Sequence, residues 1–255
     1  MKSSLLSILY AIILLSLISA CSSAPKLRKL ETSMLELNSQ TIVSDDSSFI
    51  KTVQPYKLKM DSVMNDVLGS SDQPLLKGLP EGTLGDFVSD AVLKKTNDVY
   101  KPIDKIPVDI CLLNNGGLRS QLPKGKIILG NVYELMPFEN AIVILTISGE
   151  KMMQLFESLV GNNGAPFSGA RVTAKGKKIT TLLIGGKEID LAKNYKVVTS
   201  DYLAGGGDKY SFFSSPLKVD TLNYKLRDAI VDYIKDETQK GNTIKVEIDG
   251  RIKYE

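Results

Sequence analysis

Short, nearly unbroken apolar runs alternate along this chain with stretches in which apolar residues recur every three or four positions, and glycine-bearing polar segments separate the two. The runs at 108–113, 141–147 and 195–199 predict strands. Residues 125–130 predict a turn and short strand. Residues 170–174 and 180–184 predict two strands around a Lys-Gly-Lys turn, and Gly185-Gly186 turns into 187–189. A last strand is expected at 243–248. Leu84, Phe87, Val88, Ala91 and Val92 fall on one helical face, predicting a helix to about Thr96 with Thr83 as its cap. A brief helix is expected at 131–135. Ser148-Gly149-Glu150 opens another carrying Met152, Met153, Leu155, Phe156 and Leu159, and residues 222–233 predict an amphipathic closing helix. Between 49 and 68, Ile50, Val53, Leu58, Val63 and Val67 keep helical spacing around Pro55. This predicts one or two short helices packed on the main body. Strands and helices interleave without a regular βαβ period and no internal repeat is visible, so the expected fold class is α+β, or mixed α/β.

Two glycine-rich segments begin where apolar strand runs stop: Leu113-Asn114-Asn115-Gly116-Gly117-Leu118-Arg119 and Tyr202-Leu203-Ala204-Gly205-Gly206-Gly207-Asp208. Both read as strand-end loops. Consecutive glycines permit positive φ and close backbone approach, while Asn114, Arg119 and Asp208 bring an amide, a planar cation and an anion to the rims. Either loop alone is most simply a tight turn with solvated charges. Two in one chain favour a site for a polar ligand with an anionic end.

Composition narrows the chemistry. With 255 residues, 43% hydrophobic, the chain can bury one good-sized core. A formal charge of +3, with acids and bases interspersed, supplies no field for nucleic acid, so no DNA or RNA partner is expected. Histidine is absent. This removes the usual ligands of zinc and di-metal hydrolase sites and the commonest acid–base group near neutral pH. Asp45-Asp46 is the first candidate for hard-ion binding, but adjacent acids in a Ser-rich stretch read as solvated.

Residues 1–20 carry one early cation, Lys2, and an apolar run from 5 to 18 too short for a stable membrane span, which predicts a secretory signal peptide. Its end, Leu17-Ile18-Ser19-Ala20-Cys21, resembles the bacterial lipobox. The resemblance implies a leader removed before Cys21, acylation of Cys21, and an exported lipoprotein held at the cell envelope, on the outer membrane or periplasmic face. Residues 21–40 then read as a tether and 41–255 as one globular domain. Cys111, inside an apolar run, is expected to be a buried core thiol.

Taken in order, Asn114-x-Gly116-Gly117-Leu118-Arg119, Pro137-Phe138-x-Asn140, Ser148-Gly149 opening a helix, and Tyr202-Leu203-Ala204-x-Gly206-Gly207-Asp208-x-Tyr210 resemble the C-terminal domain of the 5'-nucleotidase family. The resemblance covers roughly 41–255. It implies a domain that binds the nucleoside while a separate N-terminal domain carries two metals and hydrolyses the phosphate ester. Residue by residue, it implies that Arg119 contacts phosphate with Asn114 beside it, and that Phe138 and Tyr202 sandwich the base. Asn140 would hydrogen-bond the base edge, Asp208 would accept from ribose hydroxyls, and Gly164 would approach the base through its backbone. Tyr202 stands where the family more often has Phe. Family members also carry further arginines near the helix beginning at Leu84, whereas here Asp86 follows Gly85 and Lys77 is the nearby cation. The metal domain is missing from this sequence.

The expected function is therefore the nucleotide- or nucleoside-recognition component of a 5'-nucleotidase. No cofactor and no catalytic residue is expected on this chain, and divalent metals are expected on a separate metallophosphoesterase subunit. The competing reading is a nucleoside- or nucleotide-binding lipoprotein without catalysis.

Overall fold

The computed structural model describes residues 29, 31–34 and 46–255. The expected leader, Cys21, most of the tether and Asp45 lie outside the described residues. In chain order the elements are α1 (Ser47–Met64), β1 (Val67–Ser71), α2 (Thr83–Val99), β2 (Ile110–Leu112), β3 (Gly125–Ile128), α3 (Leu129–Leu135), β4 (Ala141–Ser148), α4 (Gly149–Gly161), β5 (Phe167–Ser168), β6 (Ala170–Lys175), β7 (Lys178–Ile184), β8 (Lys187–Glu188), β9 (Asn194–Ser200), α5 (Asp201–Ala204), β10 (Lys218–Lys225), α6 (Leu226–Gln239) and β11 (Ile252–Tyr254). Everything from β1 onward belongs to one compact unit, residues 51–255. The fold is α+β, as the pattern predicts.

A five-stranded sheet in the order β10-β4-β9-β2-β5 organises this unit. Strand β4 is apolar at almost every position because both of its faces are covered. Ile142 and Ile144 face a core shared with α2, α3 and α6, including Leu84, Val88, Leu135 and Ile230. Val143, Leu145 and Ile147 face a second core with Met152, Leu155 and Phe156 of α4 and with Val172 and Leu182 of the four-stranded sheet β11-β6-β7-β8. The period of two sorts one strand between two cores. Each fully buried Leu, Ile or Phe contributes about 1.5–3 kcal/mol. Cys111 is fully buried in the first core, and burial pushes its thiol well above the ordinary range.

Where the chain departs from its pattern, the reasons are local. Pro55 does not break α1, which runs through it as one helix, and no residue of that helix is buried; its last residue, Met64, lies against Gly130 of α3, while the expected apolar face, Ile50, Val53, Leu58 and Val63, stays exposed. Asp46 caps that helix, its Oδ1 accepting from the backbone N of Ser48 at 2.9 Å. Thr83 is not the cap of α2. Its Oγ1 accepts instead from the backbone N of Leu76 at 3.0 Å, and the extended residue before the helix is Gly82. The closing helix starts at Leu226, because residues 218–225 alternate as an edge strand, β10. Residues 243–248 form no strand, only a bridge of Ile244 to Ser71, and the last strand is Ile252–Tyr254.

Arg251, just before β11, ties the C-terminal segment to α2. Its guanidinium donates to Asp90 at 3.1 Å through both terminal nitrogens and to the carbonyl of Phe167 at 2.8 Å. Its Nε lies 3.3 Å from Asp86. Asp86 is 2% exposed, and its other oxygen has no partner. Burial raises its pKa to about 7, against the pull of Arg251 and with the push of Glu81 and Asp90.

Candidate functional site

The sheet register brings distant loops together. β2 and β9 are parallel neighbours, Ile110 opposite Val197 and Cys111 opposite Val198, so their C-terminal ends leave the sheet at the same edge. The loops after them are the two glycine-rich segments. β4 is antiparallel to β9 with Ile142 opposite Ser200, so the turn entering β4, Phe138-Glu139-Asn140, arrives there as well. β10 pairs Lys225 with Ala141 and delivers the start of α6 to the same place. A backbone bond from Leu226 N to the Asn140 carbonyl, 3.0 Å, closes that junction. Binding sites concentrate at the carboxyl ends of adjacent parallel strands for this reason.

Between these segments lies a cavity of about 330 Å³, lined by Leu113, Asn114, Gly116, Gly117, Arg119, Met136, Phe138, Asn140, Ser200, Tyr202, Asp208 and Leu226. Its volume suits a small molecule. Phe138 is 42% exposed and Tyr202 50%, so two aromatic rings are left part-open beside it. Leu118 and Leu203, both fully buried, anchor the two glycine loops to the body.

The glycines do different work in the two loops. Gly116 and Gly117 form a 3-10 turn with Asn115 and have no positive φ, contrary to the expectation for consecutive glycines. They supply space. A Cβ on Gly117 would stand 2.8 Å from Asn114 Oδ1, so only glycine lets the Asn114 amide fold back over the turn. In the second loop the backbone is left-handed at Gly206, φ 91°, and at Asp208, φ 51°. Asp tolerates that region at a modest cost. Gly207 lies flat against the Tyr202 ring, where a Cβ would come 2.5 Å from ring carbons.

A polar network crosses from one loop to the other. Tyr202 Oη donates to Asp208 Oδ1 at 2.8 Å, and Asn114 Nδ2 donates to Asp208 Oδ2 at 2.5 Å. The hydrogen bond to Asp208 raises the Tyr202 pKa, keeping the hydroxyl a donor. The Arg119 backbone N donates to the Leu135 carbonyl at 2.7 Å, which fixes its position. Its guanidinium makes one 3.3 Å bond to the Gly116 carbonyl and, among the described residues, has no acidic partner. On the other side Glu139 is ion-paired with both Lys225 and Arg227. Those bonds, Lys225 first, pull its pKa down to about 2. The Arg227 guanidinium also stacks 4.0 Å from the Tyr133 ring centroid. The turn carrying Phe138 and Asn140 is thereby pinned to the start of α6.

Residues 67–215 match the family described as the 5'-nucleotidase, C-terminal domain. The chain belongs to that family. Among its relatives, the trifunctional nucleotide phosphoesterase protein of Bacillus subtilis (strain 168) is 27% identical over 219 residues, covering 78% of this chain and 14% of the relative. A snake venom 5'-nucleotidase of Naja atra is 28% identical, covering 68% of this chain and 36% of the relative. The crystal structure of a 5'-nucleotidase precursor from Thermus thermophilus superposes with a TM-score of 0.67 at 24% identity, over 82% of this chain and 43% of that one. The chain thus spans a minor part of the relatives it matches.

In this 5'-nucleotidase C-terminal domain, six of the seven residues expected to bind substrate line the one cavity: Asn114, Arg119, Phe138, Asn140, Tyr202 and Asp208. Gly164 does not. It follows α4 with φ 93° and packs against Pro80, whose carbonyl oxygen would lie 2.2 Å from an added Cβ. Its glycine is explained by that contact and its left-handed backbone. Sequence reading passes over Met136, Ser200 and Leu226 as lining residues. Met136 and Ser200 flank segments already singled out, whereas Leu226 reaches the site only through the β10 pairing.

The family resemblance implies a di-metal centre on a separate N-terminal domain, and the residues of this chain do not fit one. Histidine is absent, and among the described residues no group of three or more Cys, Asp or Glu is placed to hold a metal ion.

Proposed function

We propose that this domain recognises a nucleotide or nucleoside for phosphoric monoester hydrolysis catalysed by a separate metallophosphoesterase chain. The observation that carries this reading is the convergence of two part-open aromatic rings, an amide, a guanidinium without an acidic partner among the described residues, and a carboxylate on one 330 Å³ cavity. Phe138 and Tyr202 offer π-faces to a base, and such stacking contributes about 1–3 kcal/mol per base. Asn140 presents an amide that can both donate to and accept from a base edge. Asp208 is an acceptor suited to ribose hydroxyls, and the Arg119 fork suits phosphate oxygens. The work of the domain is to hold and orient the ester, which lowers a barrier only where another group supplies the nucleophile. The relatives' names, nucleotide phosphoesterase and 5'-nucleotidase, support the substrate class.

The lipobox-like end of the leader supports a location for this function at the bacterial cell envelope, on a lipid-anchored Cys21. A relative in Listeria monocytogenes, 24% identical, bears the name cell wall protein. Calorimetry of the full chain in detergent with adenosine and AMP tests recognition, and failure to bind either removes the reading. Mixing the chain with a metallophosphoesterase from the same envelope then separates the two forms of the idea. Raised AMP hydrolysis supports a catalytic partnership. Binding without any effect on hydrolysis leaves a capture protein.

A further inference from the structure

We infer that the Tyr202 hydroxyl is a positioning group for sugar recognition, holding the Asp208 carboxylate so that its two remaining acceptor directions face a vicinal diol. The inference rests on the nucleoside reading of the same cavity and adds a specificity determinant to it. An ionised carboxylate offers roughly four lone-pair directions. Two are used within the protein, one on each oxygen: Tyr202 Oη donates to Oδ1 at 2.8 Å and Asn114 Nδ2 to Oδ2 at 2.5 Å. One direction is left on each oxygen, an arrangement matched to two adjacent hydroxyls donating side by side. A carboxylate free to rotate would present the same acceptors in many orientations and lose part of the bond energy in ordering them.

The surroundings explain why the hydroxyl has this role and not merely the ring. Asp208 sits on a left-handed residue, φ 51°, next to Gly207, at the exposed end of a glycine loop, where backbone alone leaves the side chain loosely held. The ring that carries the hydroxyl is itself fixed, one face against Gly207 and its backbone in the first turn of α5, where Ser200 Oγ accepts from Leu203 N at 3.1 Å. The phenol therefore transmits the rigidity of that helix start to the carboxylate. Asn114 does the same from the opposite loop, its amide held over Gly117. Tyr202 joins the proposed stacking wall to the proposed sugar acceptor in one side chain.

The test compares adenosine with 2',3'-dideoxyadenosine, which keeps the base and lacks both hydroxyls, by calorimetry on the full chain in detergent. Tyr202→Phe keeps the ring and removes the donor. The expected result is a wild-type preference for adenosine that narrows about 5-fold to 10-fold in Tyr202→Phe, because adenosine weakens more than the dideoxynucleoside. Asn114→Ala, which removes the second donor, narrows the same ratio. An unchanged ratio in Tyr202→Phe, or equal weakening of both ligands, overturns the inference while leaving nucleoside recognition in place. A wild-type chain that binds neither ligand overturns the nucleoside reading itself, and this inference with it.

Discussion

Asp208 and Asp86 are the same side chain put to opposite uses. Asp208 is exposed at the end of a glycine loop and holds two neutral donors, Tyr202 and Asn114. Asp86 is 2% exposed at the start of α2, against a buried arginine, with one oxygen unpartnered. The first network leaves acceptor capacity facing a cavity. The second is closed on itself, with Arg251 spread over Asp86, Asp90, Asp249 and the Phe167 carbonyl. Burial, not residue type, separates a carboxylate available to a ligand from one that fixes the fold. Neutral donors leave the Asp208 charge uncancelled, whereas a buried guanidinium neutralises its partners and makes each dependent on the other.

The largest effect expected from breaking this contrast is at Arg251. Arg251→Ala leaves Asp86 and Asp90 without their cation and takes the C-terminal segment off α2 and β5, costing about 3–5 kcal/mol by denaturant unfolding at pH 8. Cutting the open network, as in Asp208→Asn, should leave the unfolding midpoint within about 0.5 kcal/mol of wild type. If both variants unfold alike, the division into a closed and an open network is wrong.

Asp86 gives the next effect, read through pH. Its folded pKa, raised by burial to about 7 from 3.8, means that ionising it disfavours the fold. The stabilising contribution of the protonated form is complete below about 3.8 and is lost as the pH rises through about 7. Asp86→Asn keeps the shape and cannot ionise. Its stability relative to wild type should rise between pH 4 and pH 8, by at most about 4 kcal/mol. A difference that stays flat across that window would show that Arg251 holds Asp86 ionised throughout.

The two networks are unequally visible in the sequence. Asn114, Arg119 and Asp208 stand out because polar groups beside consecutive glycines, at the ends of apolar runs, mark loops whose backbone is doing something unusual. β4 and the Ser148-capped α4 are readable because an unbroken apolar run and a helical stripe leave few alternatives. Arg251 is not, since nothing local distinguishes it from a solvated arginine near the end of the chain. Asp249 is two positions away, but Asp86 and Asp90 lie some 160 positions off on α2, and only the folded core brings them to it. The β10 strand is hidden because Lys218–Lys225 is an edge strand with few apolar residues. With it is hidden the route by which Leu226, Lys225 and Arg227 reach the site. Gly164 is singled out by alignment with a motif, and the contact that explains it, with Pro80, is again long-range.

The smallest effect sharpens the open network itself. Arg119 borders the cavity with an exposed guanidinium that has no acidic partner among the described residues, while its backbone is fixed by Leu135. Arg119→Ala removes the charge and one 3.3 Å bond to the Gly116 carbonyl, while the backbone bond to Leu135 is kept, so Asn114, Phe138, Tyr202 and Asp208 are expected to stay where they are. AMP should lose about tenfold in affinity and adenosine should be unchanged, because an exposed charge-assisted contact contributes about 1–2 kcal/mol and only AMP carries the anion. The AMP loss should shrink at high salt, where surface charges are screened over a few ångströms. Equal losses for both ligands would mean that Arg119 shapes the cavity instead of reading phosphate. In that case the 3.3 Å bond to the Gly116 carbonyl would be its main function.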